Sequence, residues 1–92
     1  MPDHFVYIIK SHSTNHYYIG ETANLTDRLK RHNANRSKST KGKGPWQIVA
    51  TYKLKDKSEA CLLELKLKNM KNSTKAIDYL LRLNSVEEHS DC

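Results

Sequence analysis

Two short runs of β-branched and aromatic residues, Phe5-Val6-Tyr7-Ile8-Ile9 and Tyr17-Tyr18-Ile19, lie close together with the polar residues 11–16 between them. Such residues suit a pleated, half-buried surface and a polar run between them favours a turn, so the spacing predicts a β-hairpin. A hairpin commits the fold to a sheet and limits which side chains can meet. Side chains alternate across a strand pair, so an antiparallel register whose paired residue numbers sum to an odd value places Tyr7 and Tyr18 on one face. An even sum separates them.

Gly20 reads as the end of the second strand, a structural glycine needed for its backbone angles. Asn24 with Asp27 three residues later marks a helix start, and Leu25 and Leu29 carry the helical spacing to about His32. Arg28 and His32 are four apart on that helix and therefore share a face. Residues 33–45 are polar and basic and close on Gly42-Lys43-Gly44-Pro45, which predicts a loop. Trp46, Ile48, Ala50, Tyr52 and Leu54 then alternate with Gln47, Thr51 and Lys53, predicting a third strand with one better-buried side, although Val49 interrupts its polar face. Ser58 is the expected cap of a helix whose stripe is Ala60, Leu63, Leu67 and Met70, with Glu64 at the stripe's edge. A last helix from Ser73 or Thr74 turns Ile77, Leu80 and Leu81 inward. Ninety-two residues allow one core. The expectation is a single α+β domain over 1–84 and a short acidic tail, 85–92, that frays.

Charge bears on the partner. The chain has 16 Lys and Arg against 10 Asp and Glu, and no acidic residue lies between Arg28 and Lys55, a stretch holding nine basic residues. Its field should attract a polyanion, which makes Arg31, Arg36, Lys38, Lys41 and Lys43 candidates for contact with nucleic acid, DNA first and RNA second. A solvated surface loop explains the same run without a ligand. Cys61 and Cys92 are too few for a disulfide framework, and Cys61 is expected to pack as a small hydrophobe, so no disulfide-linked partner is expected. No apolar run approaches the length of a membrane span and the N-terminus does not resemble a secretory signal, so a cytoplasmic protein is expected. His4, His12, His16 and His89 show no metal-ligand spacing.

Hydrolysing a phosphodiester requires an activated water, neutralisation of charge on the phosphate and help for the leaving oxygen, usually with a divalent cation. Glu64 is a hard oxygen donor, Arg28 a permanent cation, and His32, Tyr7 and Tyr18 can exchange protons. The order of these residues resembles the GIY-YIG nuclease superfamily. Phe5-Val6-Tyr7 and Tyr18-Ile19-Gly20 stand for its paired signature, although only the tyrosine of the first triplet carries over. The likeness continues through Asn24-Leu25, Arg28-Leu29, His32, the loop from Thr40 to Pro45, and Ala60, Glu64 and Lys68 at intervals of four, closest to the small stand-alone bacterial members.

The resemblance implies a three-stranded antiparallel sheet flanked by helices and one divalent cation, Mg²⁺ or Mn²⁺, held by Glu64. It further implies that Tyr18 orients or deprotonates the attacking water, that Tyr7 joins the same network, that Arg28 holds the scissile phosphate, and that His32 contacts a phosphate oxygen or passes a proton. An unperturbed phenol, with a pKa of about 10, is a poor base at neutral pH, and a nearby cation would lower it. The function expected is a metal-dependent endonuclease-like phosphodiesterase acting on DNA. The alternatives are a catalytically idle nucleic-acid-binding module using the basic loop 36–43, and an adaptor for an acidic protein. Residue by residue, packing tyrosines, a Glu64–Lys68 surface pair and a core Trp46 are the plainer readings.

Overall fold

The run of apolar residues in the first strand has no polar face to give to solvent, which suits a strand covered on both sides. The computed structural model describes residues 3–34 and 42–90, with side chains through Asn84. In it, strand β1 (His4–Ser11) lies at the centre of a three-stranded antiparallel sheet of order β2-β1-β3, with β2 spanning Tyr17–Thr22 and β3 Trp46–Leu54. Val6, Tyr7, Ile8 and Ile9 are all buried. Three helices complete the α+β fold: α1 (Leu25–Asn33), α2 (Lys57–Asn69) and α3 (Ser73–Ser90).

The β1–β2 register pairs Tyr7 with Gly20 and Ile9 with Tyr18, an odd-sum pairing, so both tyrosines belong to one face. Val6 and Ile8 point the other way, into a core completed by Ala50, by Ala60, Leu63 and Leu67 of α2, and by Ala76 and Leu80 of α3. Truncating Leu67 to alanine there would cost about 2–5 kcal/mol by the usual cavity penalty. On the opposite face Tyr7, Ile9 and Trp46 form a second cluster, packed by Tyr18, Ile48 and the α1 residues Leu25 and Leu29.

Strand β3 departs from the expected single buried side. Its pairing with β1 slips between Ile8↔Ala50 and Ile9↔Ile48, so Val49 occupies a β-bulge. The extra residue reverses the alternation: Trp46 and Ile48 face the tyrosines, whereas Ala50, Tyr52 and Leu54 join the α2/α3 core. Val49, the residue that interrupts the polar pattern, is where the strand changes sides.

Other local differences have simple causes. Asp56, not Ser58, caps α2, because its carboxylate, two residues earlier, accepts from the Glu59 amide at 2.9 Å. Leu81 points outward, since the inward row of α3 runs through Ala76 and Leu80. Cys61 is exposed and free rather than packed, one position beyond buried Ala60 and off the Ala60/Leu63/Leu67 stripe. The α3 backbone stays helical through Ser90, six residues beyond the expected end of the domain at 84.

Candidate active site

Tyr7 stands opposite Gly20 in the ladder, and its ring lies against that residue. A β-carbon at Gly20 would sit 2.5 Å from the Tyr7 hydroxyl oxygen, 2.7 Å from its Cζ and 3.1 Å from Cε2 of Tyr18. Gly20 therefore leaves room for two tyrosine rings. It neither ends the strand, which continues to Thr22, nor adopts a left-handed φ, so the expectation of special backbone angles is corrected to one of space.

Helix α1 supplies the next two groups. The Asn24 side chain accepts from the Asp27 amide at 3.0 Å and starts the helix. At its far end the Asn33 amide clamps β3: its Oδ1 accepts from the Trp46 backbone at 2.6 Å and its Nδ2 donates to the Trp46 carbonyl at 3.3 Å. His32 is thereby fixed beneath the sheet, 1% exposed, with its ring centroid 5.1 Å from that of Tyr18 and 6.4 Å from that of Trp46. The Tyr7 hydroxyl lies 2.9 Å from His32 Nε2.

The electrostatics keep both partners of that bond neutral at pH 7. Burial, then the neighbouring Arg28 charge, lowers the His32 pKa below its ordinary 6.5, so the imidazole is neutral at pH 7. Burial also pushes Tyr7 up to about 12, with the Tyr18 and Glu64 charges acting in the same sense and Arg28 opposing. A neutral phenol and a neutral imidazole complete this bond in either of two ways: Tyr7 donates to a bare Nε2, or it accepts from Nε2–H. Arg28 lowers the Tyr7 pKa, as expected of a nearby cation, but does not outweigh burial.

Both shifts carry stability signs. His32 has a depressed folded pKa, so the unfolded chain binds the extra proton, and stability should fall as pH drops through and below 6.5. Tyr7 has a raised one, so its contribution is intact below pH 10 and is lost as pH rises towards 12. Chemical denaturation from pH 5 to 8 checks the first. A phenolate absorbance titration should show one of the five tyrosines ionising about two pH units late, and Tyr7→Phe should remove that late component.

Glu64 projects from α2, which packs on β2. Its charge reaches Tyr7, and the Lys68 ammonium interacts with Tyr18, so the acid and the rings share one electrostatic neighbourhood. Glu64 Oε2 is 2.9 Å from Lys68 Nζ, and that bond raises the Lys68 pKa. Ligand atoms of Glu64, Glu21 and Cys61 lie within 4.8 Å of one another. Two carboxylates at that spacing fit a hard divalent cation that takes few protein oxygens and keeps its waters, while the thiol is the softer, poorer donor. Glu21, whose carboxylate is bonded to the His4 ring, is the residue that motif reading missed. Its sequence signal is parity, since it alternates with Gly20 and must face the α2 side of the sheet.

Of the basic residues, Arg31 is exposed and pairs with Asp27 at 3.2 Å. Lys43 is exposed, and its carbonyl accepts from the Ser11 and Ser13 hydroxyls. Arg36, Lys38 and Lys41 lie outside the described residues. Among the described residues no helix is long and apolar enough to cross a membrane.

Comparison with known proteins agrees with this fold. The family described as the GIY-YIG catalytic domain matches residues 3–77. The chain is 32% identical over 74 residues to the UPF0213 protein BH0048 of Halalkalibacterium halodurans, covering 79% of this chain and 78% of that protein. It is 35% identical over 87 residues to the UPF0213 protein lmo0166 of Listeria monocytogenes, covering 94% of each. The solution NMR structure of BH0048 superposes with a TM-score of 0.52 at 32% identity, over 88% of this chain and 84% of that one. With a tyrosine on each of two paired strands, an arginine and a histidine from the next helix, and the domain match spanning the sheet, α1, α2 and the start of α3, the chain belongs to the GIY-YIG family.

Proposed function

We propose that this protein is a metal-dependent, endonuclease-like phosphodiesterase that cleaves DNA in the cytoplasm. The observation that carries the reading is the buried Tyr7–His32 hydrogen bond, placed where the charges of Arg28 and Glu64 both act on it. A packing tyrosine needs no buried imidazole as partner, and burying two polar side chains in contact requires that both be satisfied.

In this reading Tyr18, half-buried beside His32, orients or, as phenolate, deprotonates the attacking water. Tyr7, held protonated, bonds to His32 Nε2 and fixes the orientation of that imidazole. Arg28 holds the scissile phosphate and offsets its growing charge. Glu64, with Glu21 beside it, would hold Mg²⁺ or Mn²⁺, which would supply Lewis-acid neutralisation of the phosphate and leaving oxygen. Arg31, Lys43 and the basic residues Arg36, Lys38 and Lys41 serve the flanking backbone.

The test is cleavage of plasmid, branched and single-stranded DNA with and without Mg²⁺ or Mn²⁺. Cation-dependent cutting is expected, with Tyr18→Phe slowing turnover by on the order of a hundredfold while leaving binding intact. The second reading, an idle binding module, draws on the Glu64–Lys68 ion pair, which neutralises the carboxylate without a cation. It requires salt-sensitive DNA binding, with a log-log slope of about −0.9 per neutralised phosphate, and no cleavage under any of these conditions.

A further inference from the structure

Alongside the reaction centre, β2 and the corner between α2 and α3 enclose a pocket of about 320 Å³, lined by residues that include Tyr17, Tyr18, Lys68, Lys71 and Ser73. Its volume lies within the range of small-ligand sites, roughly 300–1,000 Å³. Tyr18 lines it, so it is continuous with the centre rather than remote from it. Two lysines line one small cavity, and the first turn of α3, which opens beside them, has no acidic residue. Among the described residues Lys71 has no ion-pair partner, and Lys68 is held only by Glu64. A cation on Glu64 would compete for that carboxylate and free the Lys68 ammonium for the pocket.

Lys71 also sits where lysine is not favoured. It follows the α2 cap at φ 53°, a left-handed position that glycine or asparagine usually fills. A long cationic side chain is present there at the expense of backbone ease. Tyr17 completes the pocket with a ring that is 38% exposed and already has the Lys10 ammonium 5.8 Å from its centroid. An exposed ring next to converging cations matches the two needs of a single nucleotide, a surface for the base and charge for the phosphate.

We propose that this pocket seats the unpaired nucleotide adjoining the scissile phosphate, with Lys68 and Lys71 on its phosphate and Tyr17 under its base. The inference rests on the nuclease reading and extends it: the substrate is DNA with a single-stranded stretch beside the cut. A base-paired nucleotide does not present its face to Tyr17.

Binding of a labelled single-stranded oligonucleotide and of its duplex, measured by fluorescence anisotropy in EDTA, tests this without requiring cleavage. Lys71→Gly removes a cation and relieves the left-handed position. It should leave the melting temperature no lower than that of the parent, while weakening single-strand binding about three- to tenfold and reducing the salt slope by about 0.7. Tyr17→Ala should weaken single-strand binding by about tenfold with little effect on the duplex, and Tyr17→Phe should restore it. Equal losses on single strand and duplex, or wild-type affinity in Lys71→Gly and Tyr17→Ala, would overturn the proposal. Cleavage assays report separately on the nuclease reading: cutting with an inert pocket sinks only the pocket, and selective single-strand binding without cutting sinks only the catalysis.

Discussion

Glu64→Gln should lower cation-dependent DNA cleavage by about a thousandfold or more while the protein stays folded. The substitution keeps the size of the side chain and removes the charge that, in the proposed mechanism, would hold a divalent ion, a contribution of several kcal/mol to transition-state stabilisation. Glu64 is partly exposed and outside the buried stripe of α2, so folding depends little on it. Its ion pair with Lys68 joins two solvent-accessible groups, and such pairs contribute about 0.2–0.5 kcal/mol. Loss of cutting with an unchanged melting curve is the expected result. Undiminished cleavage by the variant would remove Glu64 from the mechanism.

Gly20→Ala should be costly in both stability and activity, although the backbone at this position accepts alanine. The added methyl would meet the Tyr7 hydroxyl at 2.5 Å and its ring carbon at 2.7 Å, and Tyr7 is only 2% exposed. The ring must shift, which strains a packed layer by about 1–3 kcal/mol and loosens the bond to His32. For a domain of this size that lowers the melting temperature by roughly 4–8 °C for each kcal/mol. Cleavage should fall by about a hundredfold, since displacing a positioned group by about 1 Å has that effect. Shortening Tyr7 to leucine in the same protein should recover stability and not activity. Wild-type melting and cleavage in Gly20→Ala would show that the ring does not need the space.

Much of this arrangement is readable from residue order because it rests on local rules. Strand alternation brings Tyr7 and Tyr18 to one face once the register is odd, and helical spacing does the same for Arg28 and His32. Asn24 announces the start of α1 by its side chain alone. What could not be read depends on long-range fit. The space above Gly20 exists only because a ring from the neighbouring strand lies there, and glycine in a strand looks the same whether it serves a bend or a neighbour. The approach of Glu21 and Cys61 to Glu64 depends on where α2 crosses β2. The raised pKa of Tyr7 depends on how deeply the sheet buries it, which residue order does not show.

The bulge at Val49 has a practical consequence. By turning Trp46 towards the tyrosines while Ala50 stays in the opposite layer, it puts the chain's single indole 6.4 Å from the His32 ring. The molecule thus carries its own optical reporter on the side where chemistry is expected: protonation of that imidazole, or a strand arriving over it, should alter indole emission. Rearrangements confined to the α2/α3 layer would leave the same signal dark.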